Sequence, residues 1–276
     1  MKEREYPVAL NPFGVVFHPQ ILARLLRADE NDLMEACVER EGVWLNFLLG
    51  APFAAPSRKQ LEQQIRESIQ NLQFQLKQVD WLVLTFGTSY IYKHQTHGWV
   101  GKCHRFPQAE FEKVLSRPED MAADLREAID YLRQTQPGLK VLATVSPVRH
   151  TKDGLVENGR SKAALLWMTQ LLQEQVDNFW YFPAYELVMD ELRDYRFFGS
   201  DRIHPNEEAV SYIWERFSET CFPEEEQETN RLFDEWTLLR KHKPQIGFGP
   251  SYESWQRQKR EMEDLLHLRM NREERK

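Results

Sequence analysis

No stretch of this sequence is apolar for the ~18–20 residues that a bilayer crossing requires, so no membrane-spanning helix is expected. Cysteine is scarce. Cys37, Cys103 and Cys221 are odd in number and far apart, which excludes a disulfide framework and fits a reducing compartment. No long basic run is present either, and the net charge is −7, so a general nucleic-acid binder is excluded. Met1-Lys2-Glu3-Arg4-Glu5-Tyr6 has no apolar signal core, and the expected location is the cytoplasm. Internal repeats and low-complexity segments are absent. What remains is a chain of 276 residues with 41% hydrophobic residues, enough for one large globular core.

The apolar pattern alternates between strand and helix periods. Tyr6–Leu10 predicts a short strand running into the turn Asn11-Pro12-Phe13-Gly14. Pro19–Leu26 predicts a helix, Asp29–Glu41 a polar helix, and Val43–Leu49 an apolar element of open type. Ser57 predicts the cap of a helix to Lys77, because Leu61, Ile65, Ile69, Leu72 and Leu76 recur at three- and four-residue spacings. Val79–Phe86 and Leu139–Ser146 are nearly continuous apolar runs, the mark of parallel strands covered on both faces. Pro118–Thr135 and Ser161–Val176 predict helices, Phe179–Phe182 a third strand, and Glu207–Phe217 a further helix. Strand, helix, strand is the α/β order, and sites in such sheets form at the carboxyl ends of the strands. Those ends fall at Asn11–Gly14, at Gly87-Thr88-Ser89, at Ser146–His150 and in the loop holding Asp201 and His204. From Pro223 the composition turns charge-rich. Two helices are expected there, over 224–243 and 251–270, with residues 271–276 fraying. The expected division is therefore a domain over 1–222 and a helical extension over 223–276 packed on it.

Asp201 and His204 carry the clearest chemistry. An acid three residues before an imidazole can hold it in one tautomer, leaving the other ring nitrogen to take a proton from a hydroxyl. The same residues also suit a plain helix start, with Pro205 at the first helical position and Glu207 and Glu208 in the first turn. Ser146 and Ser89 are hydroxyls at strand ends, open as local backbone partners or as nucleophiles. Arg149, His150, Lys152 and Lys162 suit an anion or a sugar, or a solvated basic loop. His94, His97, Cys103 and His104 are ligand types, but their spacing matches no common zinc pattern, and neither a metal nor a cofactor is expected.

Five blocks, in order, resemble the GSCFA family, a branch of the SGNH (GDSL-like) hydrolases. They are Asn11-Pro12-Phe13-Gly14, Thr85-Phe86-Gly87-Thr88-Ser89, Cys103-His104-Arg105-Phe106-Pro107, Thr144 to His150 with Asn158 and Ser161-Lys162-Ala163, and Asp190 to Phe197 followed by Asp201-Arg202-Ile203-His204-Pro205. The resemblance implies a three-layer α/β/α sandwich of flavodoxin-like SGNH type with a parallel sheet. It also implies ester hydrolysis by a serine, with Asp201 and His204 as the rest of the triad. Gly14 and Gly87 are the implied oxyanion contributors, and Thr88, Ser89, His104, Ser146, Arg149 and His150 line the implied substrate site. Ser89 stands where many SGNH members carry an asparagine. The family's Gly-Ser-Cys-Phe-Ala block should precede Asn11, yet only ten residues do, none of them serine. The expectation is a domain without its first strand and nucleophile, inactive as it stands. The implied ligand is a small-molecule ester or acylated sugar, with neither nucleic acid nor membrane as partner and the oligomeric state open. A non-catalytic acyl- or carbohydrate-binding module and a metal-dependent hydrolase are the competing expectations.

Overall fold

The polar segment after Asp29 shows how local turn chemistry divides this chain. In the computed structural model, which describes residues 6–27 and 29–270, helix α1 (Pro19–Leu26) starts with proline in its first turn, as predicted. Helix α2 (Glu30–Glu35), capped by Asp29, is shorter than the helix predicted to Glu41. From Cys37 the chain forms a hairpin, β1 (Cys37–Arg40) and β2 (Val43–Asn46), to which β3 (Ala54–Ala55) adds an edge. The reason is Glu41-Gly42. Both residues have positive φ, 54° and 78°, and Arg40 pairs with Val43 across them. That is a two-residue hairpin turn, which no helix can contain.

Helix α3 (Arg58–Leu76) begins at Ser57, whose hydroxyl accepts the Gln60 N–H at 3.3 Å, and it buries Leu61 and Ile65 as the periodicity predicts. Strand β4 (Trp81–Phe86) follows. Next come the antiparallel strands β5 (Tyr90–His94), β6 (Gly98–Val100) and β7 (Phe111–Leu115), in the order β6-β5-β7. Helix α4 (Pro118–Arg133), β8 (Lys140–Val145), α5 (Leu155–Gln175) and β9 (Phe179–Phe182) complete the α/β core. The short α6 (Ala184–Glu186) runs into a π-turn over Leu187–Leu192. Helices α7 (Glu207–Cys221), α8 (Glu224–Lys241) and α9 (Pro250–Met270) end the described chain. The charged start at residues 1–5 and the fraying expected over 271–276 lie outside the described residues.

The fold is of the mixed α/β class, organised on a parallel sheet in the order β4-β8-β9. One face of it carries Leu84, Phe86, Val141, Ala143, Val145 and Phe179. These pack on Met121, Leu125 and Ile129 of α4 and on Leu165, Met168 and Leu172 of α5. The opposite face is buried at the central strand, where Leu142 is 7% exposed, and more open at the edge strands. Trp81 is 45% exposed, Val83 48% and Trp180 42%, with the two indole rings 5.2 Å apart. β4 and β9 are the edges of the sheet, so apolar side chains on that face meet solvent and each other.

The chain divides into two compact units: residues 9–209, and the described residues 6–8 together with 210–270. The second unit explains why Tyr6–Leu10 forms no strand. The Tyr6 hydroxyl lies 3.1 Å from both Glu226 Oε2 and Asn230 Oδ1, and its ring packs 5.3 Å from Phe222. A tyrosine engaged by α8 is not available to a sheet. Among the described residues no helix is long and apolar enough to cross a membrane.

Leu165 is fully buried in the sheet–helix core, whereas Phe74 on α3 is exposed. Urea titration should show Leu165→Ala losing about 2–5 kcal/mol and Phe74→Ala changing stability by less than ~0.5 kcal/mol. Equal losses at the two positions would contradict the core assignment.

Candidate functional site

The strand ends are held by one helix. Gly87 follows β4, and its N–H donates to Phe17 O at 2.9 Å. A Cβ there would lie 3.0 Å from Phe17 Cβ and Cδ1, so the segment before α1 crosses the strand end at a distance where any larger residue at 87 would push on the Phe17 side chain. The carbonyls of Gly87 and Ser146 both accept from Lys162 Nζ of α5, at 2.6 and 2.7 Å. The neighbouring Ser161 clamps the next residues. Its Oγ accepts the Ser89 N–H at 2.9 Å, its carbonyl accepts from Ser89 Oγ at 3.1 Å, and its hydroxyl lies 3.3 Å from Thr88 Oγ1.

The end of β8 is fixed in the same local way. Ser146 Oγ accepts the Val148 N–H at 3.2 Å, and the His150 N–H donates to Asn158 Oδ1 at 2.9 Å. The His150 ring meets Phe17 edge-on, 6.2 Å between centroids. Burial first, then the Lys162 charge, push its pKa down. Burial also lowers Lys162, to about 8. Arg149 reaches away from the strand. It donates to Arg202 O at 3.3 Å and lies over the rings of Phe198, at 4.5 Å, and Tyr195, at 5.4 Å. It therefore joins the end of β8 to the loop that carries Asp201 and His204.

That loop is closed by its own backbone. Phe198 bridges Pro205, the Gly199 N–H donates to His204 O at 2.8 Å, and the Asn206 N–H donates to Phe197 O at 2.9 Å. Asp201 Oδ1 accepts the N–H groups of Ile203 and His204 at 2.9 and 3.0 Å. Its Oδ2 accepts from His204 Nδ1 at 2.7 Å. The imidazole bond first, and the two backbone bonds after it, hold the Asp201 carboxyl down to about 2. With Nδ1 donating, neutral His204 has its lone pair on Nε2. Nε2 has no hydrogen-bond partner among the described residues, and the ring is 65% exposed. Chemically the pair is an oriented base without an attached hydroxyl.

Gly87, Thr88, Ser89, Ser146, Arg149 and His150 thus gather at the ends of β4 and β8, and Arg149 ties Asp201 and His204 to them. Ser89 is fully buried with its hydroxyl committed to Ser161. Gly14 makes a different contact. Its φ is 73°, and a Cβ on it would meet Gly50 Cα at 2.8 Å, so its glycine permits two backbones to touch. His104 also stands apart, Nε2 donating to Asn46 O at 2.7 Å. The rings of His94, His97, His104, Phe106 and Phe111 surround Phe47 at 5.0–6.3 Å. Among the described residues no three His, Cys, Asp or Glu side chains are grouped to hold a metal.

Sequence reasoning missed two things. One is a buried polar trio: His18 Nε2 donates to Ser116 Oγ at 3.2 Å, and Ser116 donates to Gln20 Oε1 at 2.7 Å. Burial drives His18 down to about 4, so it is neutral. The other is the burial of Lys162, which shares the buried stripe of α5 with Leu165, Met168, Thr169 and Leu172. A lysine at an apolar helix position was the available signal.

Comparison with protein families matches residues 1–217 to a family described as the GSCFA family. No curated protein and no solved structure matches the chain.

The folded-state pKa of Asp201 lies below its unfolded value of ~3.9. Its contribution to stability is therefore present above about pH 4 and lost as pH falls through about 2. Carboxyl carbon NMR should place its midpoint near about 2 in the native chain. In His204→Ala the midpoint should rise but stay below ~3.9, because the two backbone donors remain. A midpoint unmoved by His204→Ala would show that the imidazole bond is not formed in solution.

Proposed function

This chain belongs to the GSCFA family, and we propose that it is a hydrolase-like domain whose Asp201–His204 pair does acid–base work on ester bonds. The observation that carries this is the 2.7 Å bond between His204 Nδ1 and Asp201 Oδ2, with Nε2 left free. In the proposed reaction Nε2 takes the proton of a hydroxyl as its oxygen bonds to the ester carbonyl carbon. The carbonyl electrons move onto oxygen, giving a tetrahedral oxyanion. When the carbon–oxygen bond to the leaving alcohol breaks, Nε2–H returns the proton to that alcohol. Asp201 stays ionised throughout and stabilises the imidazolium. Water then releases the acyl group by the same two proton transfers.

The hydroxyl is the missing part. Ser89 Oγ is committed to Ser161, and Ser146 Oγ accepts the Val148 N–H. Neither is hydrogen-bonded to His204. The chain on its own is therefore proposed to hold a ligand without forming an acyl-enzyme. The proposed ligand is a small-molecule ester or an acylated sugar, and the proposed location is the cytoplasm. A second reading, a binding module without turnover, is favoured by the same committed serines.

A fluorophosphonate probe should leave the mass of this chain unchanged. Labelling of Ser146 or Ser89 that disappears in His204→Ala would overturn the assignment of a missing hydroxyl. With an external alcohol supplying the hydroxyl, alcoholysis of p-nitrophenyl acetate should rise in the native chain. The rise is bounded by the ~100-fold low end of a general base's contribution, and it should vanish in His204→Ala. Saturable ester binding with no such rise would favour the binding module.

A further inference from the structure

Three helices end around a hollow that no side chain fills. α1 stops at Leu26, α3 at Leu76 and α4 at Arg133, and a cavity of about 180 Å³ lies between them. α3 and α4 lead into the starts of β4 and β8, so the cavity lies at the opposite ends of these strands from Gly87 and Ser146. Leu26, Ile69, Leu72 and Leu132 line its interior, and Lys77, Tyr131 and Thr135 stand exposed at its mouth. Lys77 is the one charged residue of the lining, and it has no ion-pair partner among the described residues. The neighbouring cations are committed. Arg27 pairs with Glu127 at 2.5 Å, and Arg133 donates to the Leu139 and Asp177 carbonyls at 3.0 and 2.7 Å.

Helix carboxyl ends carry partial negative charge, which accounts for a lysine at the end of α3. It does not account for the apolar hollow beside that lysine, because protein interiors normally close to crystal-like density. A cavity of ~150 Å³ lined by leucine, isoleucine and phenylalanine takes up benzene, so this one has room for a tail of about six carbons. The mouth decides the head group. Each helix end carries its own basic residue, Arg27, Lys77 and Arg133, so a full charge stands against each partial one and the balance favours an anion. We infer that this hollow binds a short-chain alkyl carboxylate, its tail against Leu26, Ile69 and Leu72 and its carboxylate at Lys77. The inference does not rest on the ester-hydrolysis proposal, since binding is read without turnover.

The test titrates hexanoate, hexanol and hexylammonium into the whole chain at constant ionic strength and neutral pH, followed by methyl NMR. Saturable shifts are expected at the Leu26, Ile69 and Leu72 methyl groups, with hexanoate binding tightest. Each methylene removed from the carboxylate should weaken binding about fourfold. Lys77→Met should weaken hexanoate about threefold and leave hexanol unchanged. Lys77→Glu should reverse the order, with hexylammonium tightest. Ile69→Trp and Leu72→Trp should each fill the cavity and remove the binding of all three probes. If neither variant folds, the chain-length series on the native chain decides. Shifts that never saturate, shifts confined to other methyl groups, or equal binding of hexanoate and hexylammonium would overturn the inference. So would a Lys77→Met variant that weakens hexanoate and hexanol alike.

Discussion

A single buried ammonium sets the geometry on which the site depends. The carbonyls of Gly87 and Ser146 lie past the last ladder pairs of β4 and β8, Phe86 with Val145. Without Lys162 they would be strand-end acceptors with no further strand residue to bond. A buried acceptor left unsatisfied costs about 1–3 kcal/mol, and one side chain here serves two of them. Ser161 serves the next pair, the N–H and hydroxyl of Ser89. Two consecutive residues of α5 therefore fix where β4 and β8 stop. Arg149 then converts that fixed point into a position for the Asp201–His204 loop, through the Arg202 carbonyl and the Phe198 ring.

What was legible in the sequence follows from how local each interaction is. Asp201 bonds only to residues two and three positions ahead, so its pairing with His204 could be anticipated from spacing. Ser57 as a cap and the stripe Leu61–Ile65 are equally local. The order of strand and helix, and the family blocks laid along it, led to the α/β class. Contacts between distant segments were not legible. Nothing around Gly14 announces Gly50, and nothing around Ser89 announces Ser161. The β1–β2 hairpin was a failure of a different kind. Its Glu41-Gly42 turn is a local signal, but the polar residues on either side suit a helix as well as a strand pair, so the pattern alone does not separate the two.

The parallel sheet adds a constraint of its own. Continuous apolar runs such as Trp81–Phe86 suggest cover on both faces, yet the helices α4 and α5 cover only one. On the other face Trp81 and Trp180 pack against each other, and the Lys140 ammonium lies 5.3 Å from the Trp81 ring centre. Aromatic pairing and a cation over the ring each contribute about 0.5–1 kcal/mol. They offset part of the exposure without removing it. The stability of the sheet therefore rests on the helix-covered face, where its side chains are almost wholly buried.

Two electrostatic regimes meet at Arg149. The Asp201–His204 pair is exposed, so solvent and salt screen it, and directional hydrogen bonds rather than burial hold it. Lys162 and His150 lie deeper, where screening is weaker and burial governs their protonation. An exposed pair keeps its orientation only if the backbone beneath it is rigid, which the Phe198–Pro205 bridge and the Gly199–His204 bond supply. The deeper cations need no such loop, because α5 and the strand ends already fix them. One guanidinium spans both regions, so a displacement of the β8 end would move the acid–imidazole loop with it. The end of β8 and the His204 imidazole are thereby placed on a common mechanical element.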